Sequence, residues 1–155
     1  MYHSIESMPK STVMRSLHVP PRRFKLQMMI LKLLGYRGLS LRDLKPYLEG
    51  EKHGKVVGIT FDDGYLNNLI YAAPILKRHG FSATCYIVSE KIGLSNTWDL
   101  NEKITQRPLM NENEINQWLK LGMDIGAHTK THSDLTAVSE GQALNEINDC
   151  RIDLE

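Results

Sequence analysis

The amino-acid sequence predicts an α/β fold with a largely parallel sheet. Short apolar runs typical of buried strands alternate with amphipathic helical segments along the 155 residues. The length suits one domain with a hydrophobic core, and 41% hydrophobic with 24% charged residues is ordinary for a globular chain. The sequence shows neither internal repeats nor low-complexity segments. We therefore expect one α/β domain across residues 1–155.

The first half of the chain predicts three strands and two helices. In order, we expect a strand at 2–5, a loop over 7–19, a helix over 24–34, a brief strand at 36–39, a helix from Ser40 through Leu48, and a buried strand at 56–61. The helix over 24–34 places Met28 and Met29 in the core, and the preceding Arg22, Arg23 and Lys25 are expected to be solvated.

The second half repeats the alternation of strand and helix. We expect a helix over 66–79 interrupted at Pro74, a strand at 82–88, an irregular stretch over 89–109, a helix from Asn111 through Leu121, a strand at 123–127, and a helix from Ser139 to Leu154. Capping boxes support both later helices, because Glu114 follows Asn111 by three residues and Gln142 follows Ser139 by three.

Charge and hydropathy restrict the partners and the compartment. The formal net charge of +1 gives no electrostatic reason to expect a nucleic acid or an anionic membrane surface as a partner. The sequence contains neither a transmembrane span nor a signal peptide, so it predicts a cytoplasmic chain, or an extracytoplasmic one if an upstream segment has been lost. Cys85 and Cys150 are expected to be reduced and buried.

Two adjacent carboxylates, Asp62 and Asp63, follow the buried strand at 56–61. A carboxylate that loses water at a strand end needs a cation or several hydrogen-bond donors as a partner. Adjacent residues there point in different directions, so one carboxylate can bind a metal while the other handles a proton.

Two histidines, His128 and His132, follow the strand at 123–127 in the same way. Their spacing places both imidazoles within reach of one ion, whether on a helical turn or a tight loop. Because the carboxyl ends of parallel strands meet on one face, we expect the carboxylates and histidines to lie together. Two histidines with one carboxylate predict a divalent metal site, most naturally for zinc.

These two motifs resemble those of a known family. Thr60-Phe61-Asp62-Asp63-Gly64 and His128-Thr129-Lys130-Thr131-His132 resemble the first two motifs of the NodB-homology polysaccharide deacetylases, carbohydrate esterase family 4. Tyr2-His3-Ser4-Ile5 is similar to the opening strand of the subgroup that includes poly-N-acetylglucosamine deacetylases. The resemblance implies that Asp62 is the general base and that Asp63, His128 and His132 bind the metal. It implies hydrolysis of an acetyl group on an N-acetylated polysaccharide or oligosaccharide.

The resemblance also implies a larger fold than this chain supplies. The family fold is a distorted (β/α) barrel of seven or eight strands, and about five are expected here. The later Arg-x-Pro-aromatic and Leu-x-His motifs are absent, and Arg107-Pro108-Leu109 lies upstream of where the first belongs. We therefore expect a C-terminally truncated domain that is poorly active or inactive alone and self-associates through its exposed sheet edges.

Three functions are compatible with these residues. The chain is either the deacetylase described, a non-catalytic relative that binds glycan or a partner chain, or a metallo-phosphoesterase with the same ligands. Residues that contact substrate are unknown; His3, on the first strand, and Trp98, in the long irregular stretch, are weak candidates.

Overall fold

The computed structural model describes residues 1–10, 12–102 and 104–155. Ser11, in the predicted loop, and Lys103, in the predicted irregular stretch, lie outside the described residues. The strands are β1 (Arg37–Leu39), β2 (Val56–Gly58), β3 (Thr60–Phe61), β4 (Thr84–Ile87) and β5 (Asp124–Ala127). The helices are α1 (Pro21–Leu33), α2 (Leu41–Leu48), α3 (Ala73–His79), α4 (Glu112–Lys120) and α5 (Glu140–Leu154).

Among the described residues the strands pair in parallel, which confirms the predicted α/β class. β1 pairs with β2, and a second sheet has the order β3-β4-β5. The predicted strand at 56–61 is divided at Ile59, whose amide donates to Leu39 while its carbonyl accepts from Thr84. The division occurs because β1 is its neighbour along the first half and β4 takes over along the second. The closed barrel that the resemblance implies stays a prediction.

The predicted strand at 2–5 is wrong as a regular element. Tyr2 and Ser4 form isolated parallel bridges with two different segments, Tyr2 with Phe61 and Ser4 with His18. The Tyr2 amide donates to Thr60 and its carbonyl accepts from Asp62, so the N-terminal segment still lies beside β3. The chain therefore brings residues 2–4 to the carboxylate motif without a continuous ladder.

The predicted helices are present, and their caps form as expected. Ser40, Asn111 and Ser139 accept hydrogen bonds from the first turns of α2, α4 and α5, and both capping boxes are complete. The predicted interruption at Pro74 is also confirmed. Residues 68–72 form a π-helical turn, and Pro74 lies in the first turn of α3, where its missing N–H leaves no helical hydrogen bond unmade.

An aromatic cluster forms the core directly beneath the strand that carries the carboxylates. Phe61 has ring centroids within 5.8 Å of Tyr2, Phe24 and Trp118. Phe24, Phe61 and Trp118 are fully buried. This packing joins β3 to α1 through Phe24 and to α4 through Trp118. The residues that follow β3 are thus anchored to an aromatic cluster in which three rings are fully buried.

Candidate metal centre

The carboxylate motif forms a tight turn immediately after β3. Asp63 and Gly64 both have a left-handed backbone, with φ of 72° and 76°. Glycine at position 64 avoids the steric cost of that conformation and leaves room for Ile87, whose Cδ1 would lie 3.1 Å from an added Cβ. The Asp62 amide donates to Tyr2, and the Gly64 carbonyl accepts from Met110. Backbone contacts from two distant segments therefore hold this turn.

The histidine motif forms an irregular loop that begins where β5 ends. The His128 amide donates to the Ile87 carbonyl over 2.9 Å, which extends the pairing with β4 by one residue. Thr129 and His132 then adopt left-handed conformations, with φ of 60° and 69°. The His132 amide donates to the Thr129 hydroxyl over 3.0 Å. The loop is a compact turn, so the predicted alternative of a helical turn is wrong.

Strained backbone is concentrated in these two motifs. In the part of the chain that the structure describes, four non-glycine residues have positive φ, and three of them are Asp63, Thr129 and His132. A β-branched residue such as Thr129 adopts this conformation at a cost of about 1–2 kcal/mol. Such strain commonly accompanies functional sites, where surrounding contacts hold an unfavourable geometry.

The two motifs bring one carboxylate and two imidazoles together. The Nε2 atoms of His128 and His132 lie 3.3 and 3.2 Å from the same Asp63 oxygen, Oδ1. One potential ligand atom from each of the three residues lies within 4.8 Å of the others. The Asp63 side chain is 7% exposed, whereas each histidine side chain is 32% exposed. Asp63 thus forms the buried side of the group and the two histidines form its solvent-facing side. A metal site with open coordination positions requires such an arrangement.

The pKa values of the two carboxylates are shifted in opposite directions. Burial acts to raise the pKa of Asp63, but hydrogen bonds from His128 and His132 lower it well below its ordinary value. Burial raises the pKa of Asp62, although the nearby His128 and His3 oppose that shift. The hydrogen bond to Asp63 raises the pKa of His128. Asp63 is therefore ionised and suited to bind a cation, while Asp62 binds a proton more readily than an ordinary aspartate.

Both weak candidates for substrate contact lie beside the motifs. His3 Nε2 is 3.9 Å from Asp62 Oδ2. The Trp98 ring stacks on His132 with centroids 4.3 Å apart and an interplanar angle of 20°. Trp98 belongs to a 3-10 turn, Thr97–Glu102, within the stretch that the sequence predicted to be irregular. Its indole thus orients a potential ligand, a contact that the sequence did not predict.

One residue outside both motifs holds the histidine loop in place. Glu146, on α5, accepts hydrogen bonds from the Thr131 amide over 2.8 Å and the Thr131 hydroxyl over 2.7 Å. The Ser133 hydroxyl adds a longer contact of 3.4 Å. Sequence reasoning missed Glu146, because an acidic residue in a helix is usually a solvated surface group. Its spacing from the histidine motif carries no local signal.

Comparison with known proteins agrees with this geometry. Residues 49–155 match the family described as Polysaccharide deacetylase. The Bacillus subtilis protein YxkH, provisionally named a polysaccharide deacetylase, is 31% identical over 97% of this chain and 48% of its own length. The poly-beta-1,6-N-acetyl-D-glucosamine N-deacetylase of Staphylococcus epidermidis is 30% identical over 84% of this chain and 43% of its own. The chain thus spans about half the length of these curated relatives.

Solved structures show the same architecture. The Streptococcus pyogenes deacetylase PplD, in complex with acetate, has a TM-score of 0.80 and 25% identity, covering 99% of this chain and 65% of that one. IcaB from Ammonifex degensii has a TM-score of 0.69 and 23% identity, covering 91% of this chain and 55% of that one. The latter likeness supports the fold. With the family match extending over both motifs, the chain belongs to the polysaccharide deacetylase family.

Proposed function

We propose that this chain carries the metal site of a deacetylase that removes acetyl groups from an N-acetylated polysaccharide. The observation that carries the proposal is the convergence of ligand atoms of Asp63, His128 and His132 within 4.8 Å, with Asp62 directly before Asp63 in the chain. One carboxylate and two imidazoles fit a divalent metal, and zinc suits this mixture of nitrogen and oxygen donors. The family supports the acetylated substrate, and it does not favour a phosphate ester.

A divalent metal held by these three residues would polarise the acetyl carbonyl and acidify a bound water. Asp62 is the general base in this proposal, because it adjoins Asp63 in the chain while the two imidazoles contact the Asp63 carboxylate. Its raised pKa makes Asp62 a better proton acceptor than an ordinary aspartate. This suits a group that takes a proton while water attacks the carbonyl carbon. Cleavage of the carbon–nitrogen bond would release acetate and leave a free amine on the sugar.

His3 and Trp98 are proposed to contribute to substrate contact. His3 lies beside the base, and Trp98 lies beside a ligand, so both border the place where the acetyl group must react. Trp98 is half-buried, and an indole face is a common surface for packing against sugar rings, whose C–H groups are apolar. Substituting either residue is therefore expected to change KM for the glycan more than the affinity for metal.

The direct test separates metal uptake from turnover. The folded chain is stripped with chelator, titrated with Zn²⁺ or Co²⁺, and then assayed for acetate release from acetylated glucosamine oligomers and for cleavage of phosphate esters. We expect stoichiometric metal uptake that is lost in Asp63→Asn and retained in Asp43→Asn, an exposed carboxylate that accepts from Ser82. A folded wild-type chain that takes up no divalent metal contradicts the proposal, as does cleavage of phosphate esters alone.

A further inference from the structure

Helix α1 is apolar on two opposite faces. Phe24 and Met28 are fully buried against the core, as the sequence predicted for Met28. The opposite face, together with the C-terminal cap residue Leu34, carries five large apolar side chains that are between 41% and 77% exposed: Leu26, Met29, Ile30, Leu33 and Leu34. The prediction that Met29 lies in the core is wrong, because its side chain points away from the buried face. A surface helix normally has one apolar stripe, so the second stripe marks an interaction surface.

The same helix carries charge of one sign. Its thirteen residues include four cations, Arg22, Arg23, Lys25 and Lys32, and no acidic residue. Among the described residues, the ion pairs involve none of these four side chains. Burial, followed by the neighbouring cations Arg78, Lys32 and Lys25, lowers the pKa of His79 beside this helix. The net charge of +1 averages over this local excess.

We propose that the outer face of α1 docks on the surface of an anionic lipid bilayer, with the helix lying in the plane of the interface. An apolar stripe flanked by Lys and Arg is the pattern that binds such surfaces, because the stripe enters the acyl boundary while the cations meet anionic headgroups. The helix of 13 residues spans about 20 Å, shorter than the hydrocarbon core of about 30 Å. In the described part of the chain, none of the helices has the length and apolar character needed to cross a membrane.

Other occupants suit this face less well. A second copy of the chain packed helix to helix would bring eight cations together, and like charges across an interface oppose association. A soluble polyanion would neutralise the cations but leave the Leu26, Ile30 and Leu33 side chains in water. A bilayer surface is the occupant that satisfies both the apolar stripe and the charge.

Helix α5 offers a matched control on the same molecule. It also exposes large apolar side chains, with Leu144 53% and Ile147 49% exposed. Its charges are reversed, since the helix contains Glu140, Glu146, Asp149 and Asp153 but a single cation, Arg151. If exposed apolar area alone caused association, α5 and α1 would behave alike. If the combination of area and positive charge is required, only α1 binds.

The experiment measures co-sedimentation of the full chain with vesicles of phosphatidylcholine, with and without phosphatidylglycerol. We expect binding to the anionic vesicles, little binding to pure phosphatidylcholine, and weakening by salt. The double variant Leu26→Ser/Leu33→Ser is expected to lower the affinity at least about tenfold, and Leu144→Ser/Ile147→Ser to leave it unchanged. Unchanged metal uptake in both variants would show that the two sites are independent.

A label provides a second measurement that does not depend on deleting apolar side chains. Cys85 and Cys150 are fully buried, so Leu33→Cys supplies a selectively reactive thiol for an environment-sensitive fluorophore. We expect its emission to shift to the blue with anionic vesicles, while the same label at Leu144→Cys does not respond. Equal binding to neutral vesicles, no response at position 33, binding to heparin without binding to vesicles, or dimers that dissociate in Leu26→Ser/Leu33→Ser would each overturn the proposal.

Discussion

The two halves of the candidate metal centre are built in different ways. The carboxylate turn after β3 is held by backbone hydrogen bonds to Tyr2 and Met110 and lies on the buried Phe61. The histidine loop after β5 is held mainly by side chains, with Glu146 of α5 binding Thr131 twice. The Asp63 side chain is 7% exposed, whereas both histidine side chains are about one third exposed. The first half therefore depends on the fold as a whole, and the second depends on a few replaceable contacts.

The largest expected effect comes from the residue that joins the two halves. Asp63→Asn keeps a side chain that tolerates the left-handed backbone, but it removes the charge that both imidazoles contact. We expect metal affinity to fall by more than the roughly 10–100-fold that is typical for loss of an outer partner. Competition with a chelating dye measures the affinity, and circular dichroism checks the fold. Retention of wild-type affinity in a folded variant would remove Asp63 from the ligand set.

Glu146→Ala tests whether the histidine loop depends on α5. Removing the carboxylate leaves the Thr131 amide and hydroxyl without their partner, so the imidazoles lose their fixed position. We expect metal affinity to fall about 10–100-fold, with partial recovery in Glu146→Gln, which keeps an acceptor oxygen. Isothermal titration with Zn²⁺ measures the change.

Asp149→Asn is the matched control for Glu146. It lies one turn later on α5 and pairs with Lys130 of the same loop over 3.0 Å, but the hydrogen bonds of Thr131 and Ser133 to α5 go to Glu146. Exposed ion pairs contribute little, about 0–1 kcal/mol, so metal affinity should change by less than about threefold. Equal losses in Glu146→Ala and Asp149→Asn would indicate a general effect of α5 rather than a specific support of the loop.

Gly64→Ala tests the carboxylate turn through the stability of the fold. A Cβ at φ of 76° is strained and would lie 3.1 Å from Ile87. We expect a loss of about 1–2 kcal/mol in the free energy of unfolding, measured by urea denaturation. Gly122→Ala, at φ of 86° but with nothing within 4 Å of the added Cβ, separates backbone strain from crowding. A larger loss at Gly122 than at Gly64 would contradict the assigned role of Ile87.

Apart from the Asp149 control, the smallest expected effect on metal affinity is at Trp98. Trp98→Leu removes the ring that stacks on His132 while leaving the ligand itself in place. We expect a loss of metal affinity of about threefold to tenfold, within the range of about 0.5–1.5 kcal/mol for an aromatic pair. The d–d spectrum of the Co²⁺-loaded chain reports any change in ligand geometry. An unaltered spectrum and affinity would limit Trp98 to packing or to substrate contact.

Much of the candidate site could be predicted because its residues form recognisable patterns over a few positions of the sequence. Asp62 and Asp63 follow an apolar strand, and His128 and His132 have ligand spacing after another, so parallel topology alone places them together. The caps at Ser40, Asn111 and Ser139 were equally accessible, since they depend on neighbours within three residues. Local patterns did not predict the role of Glu146, the stacking of Trp98 or the division of the central strand at Ile59.

The sequence by itself determined the α/β class, the caps, and the residue types from which a metal centre can be built. These features follow from periodicity and from contacts over a few residues, which the chain order specifies directly. The family resemblance already assigned Asp63, rather than Asp62, to the histidines, and the tertiary structure places Asp63 against both imidazoles. Only the tertiary structure decided that α5 supports the loop that carries them. The physical reason is distance along the chain: contacts between segments tens of residues apart depend on how helices and strands pack, and no local pattern encodes that packing.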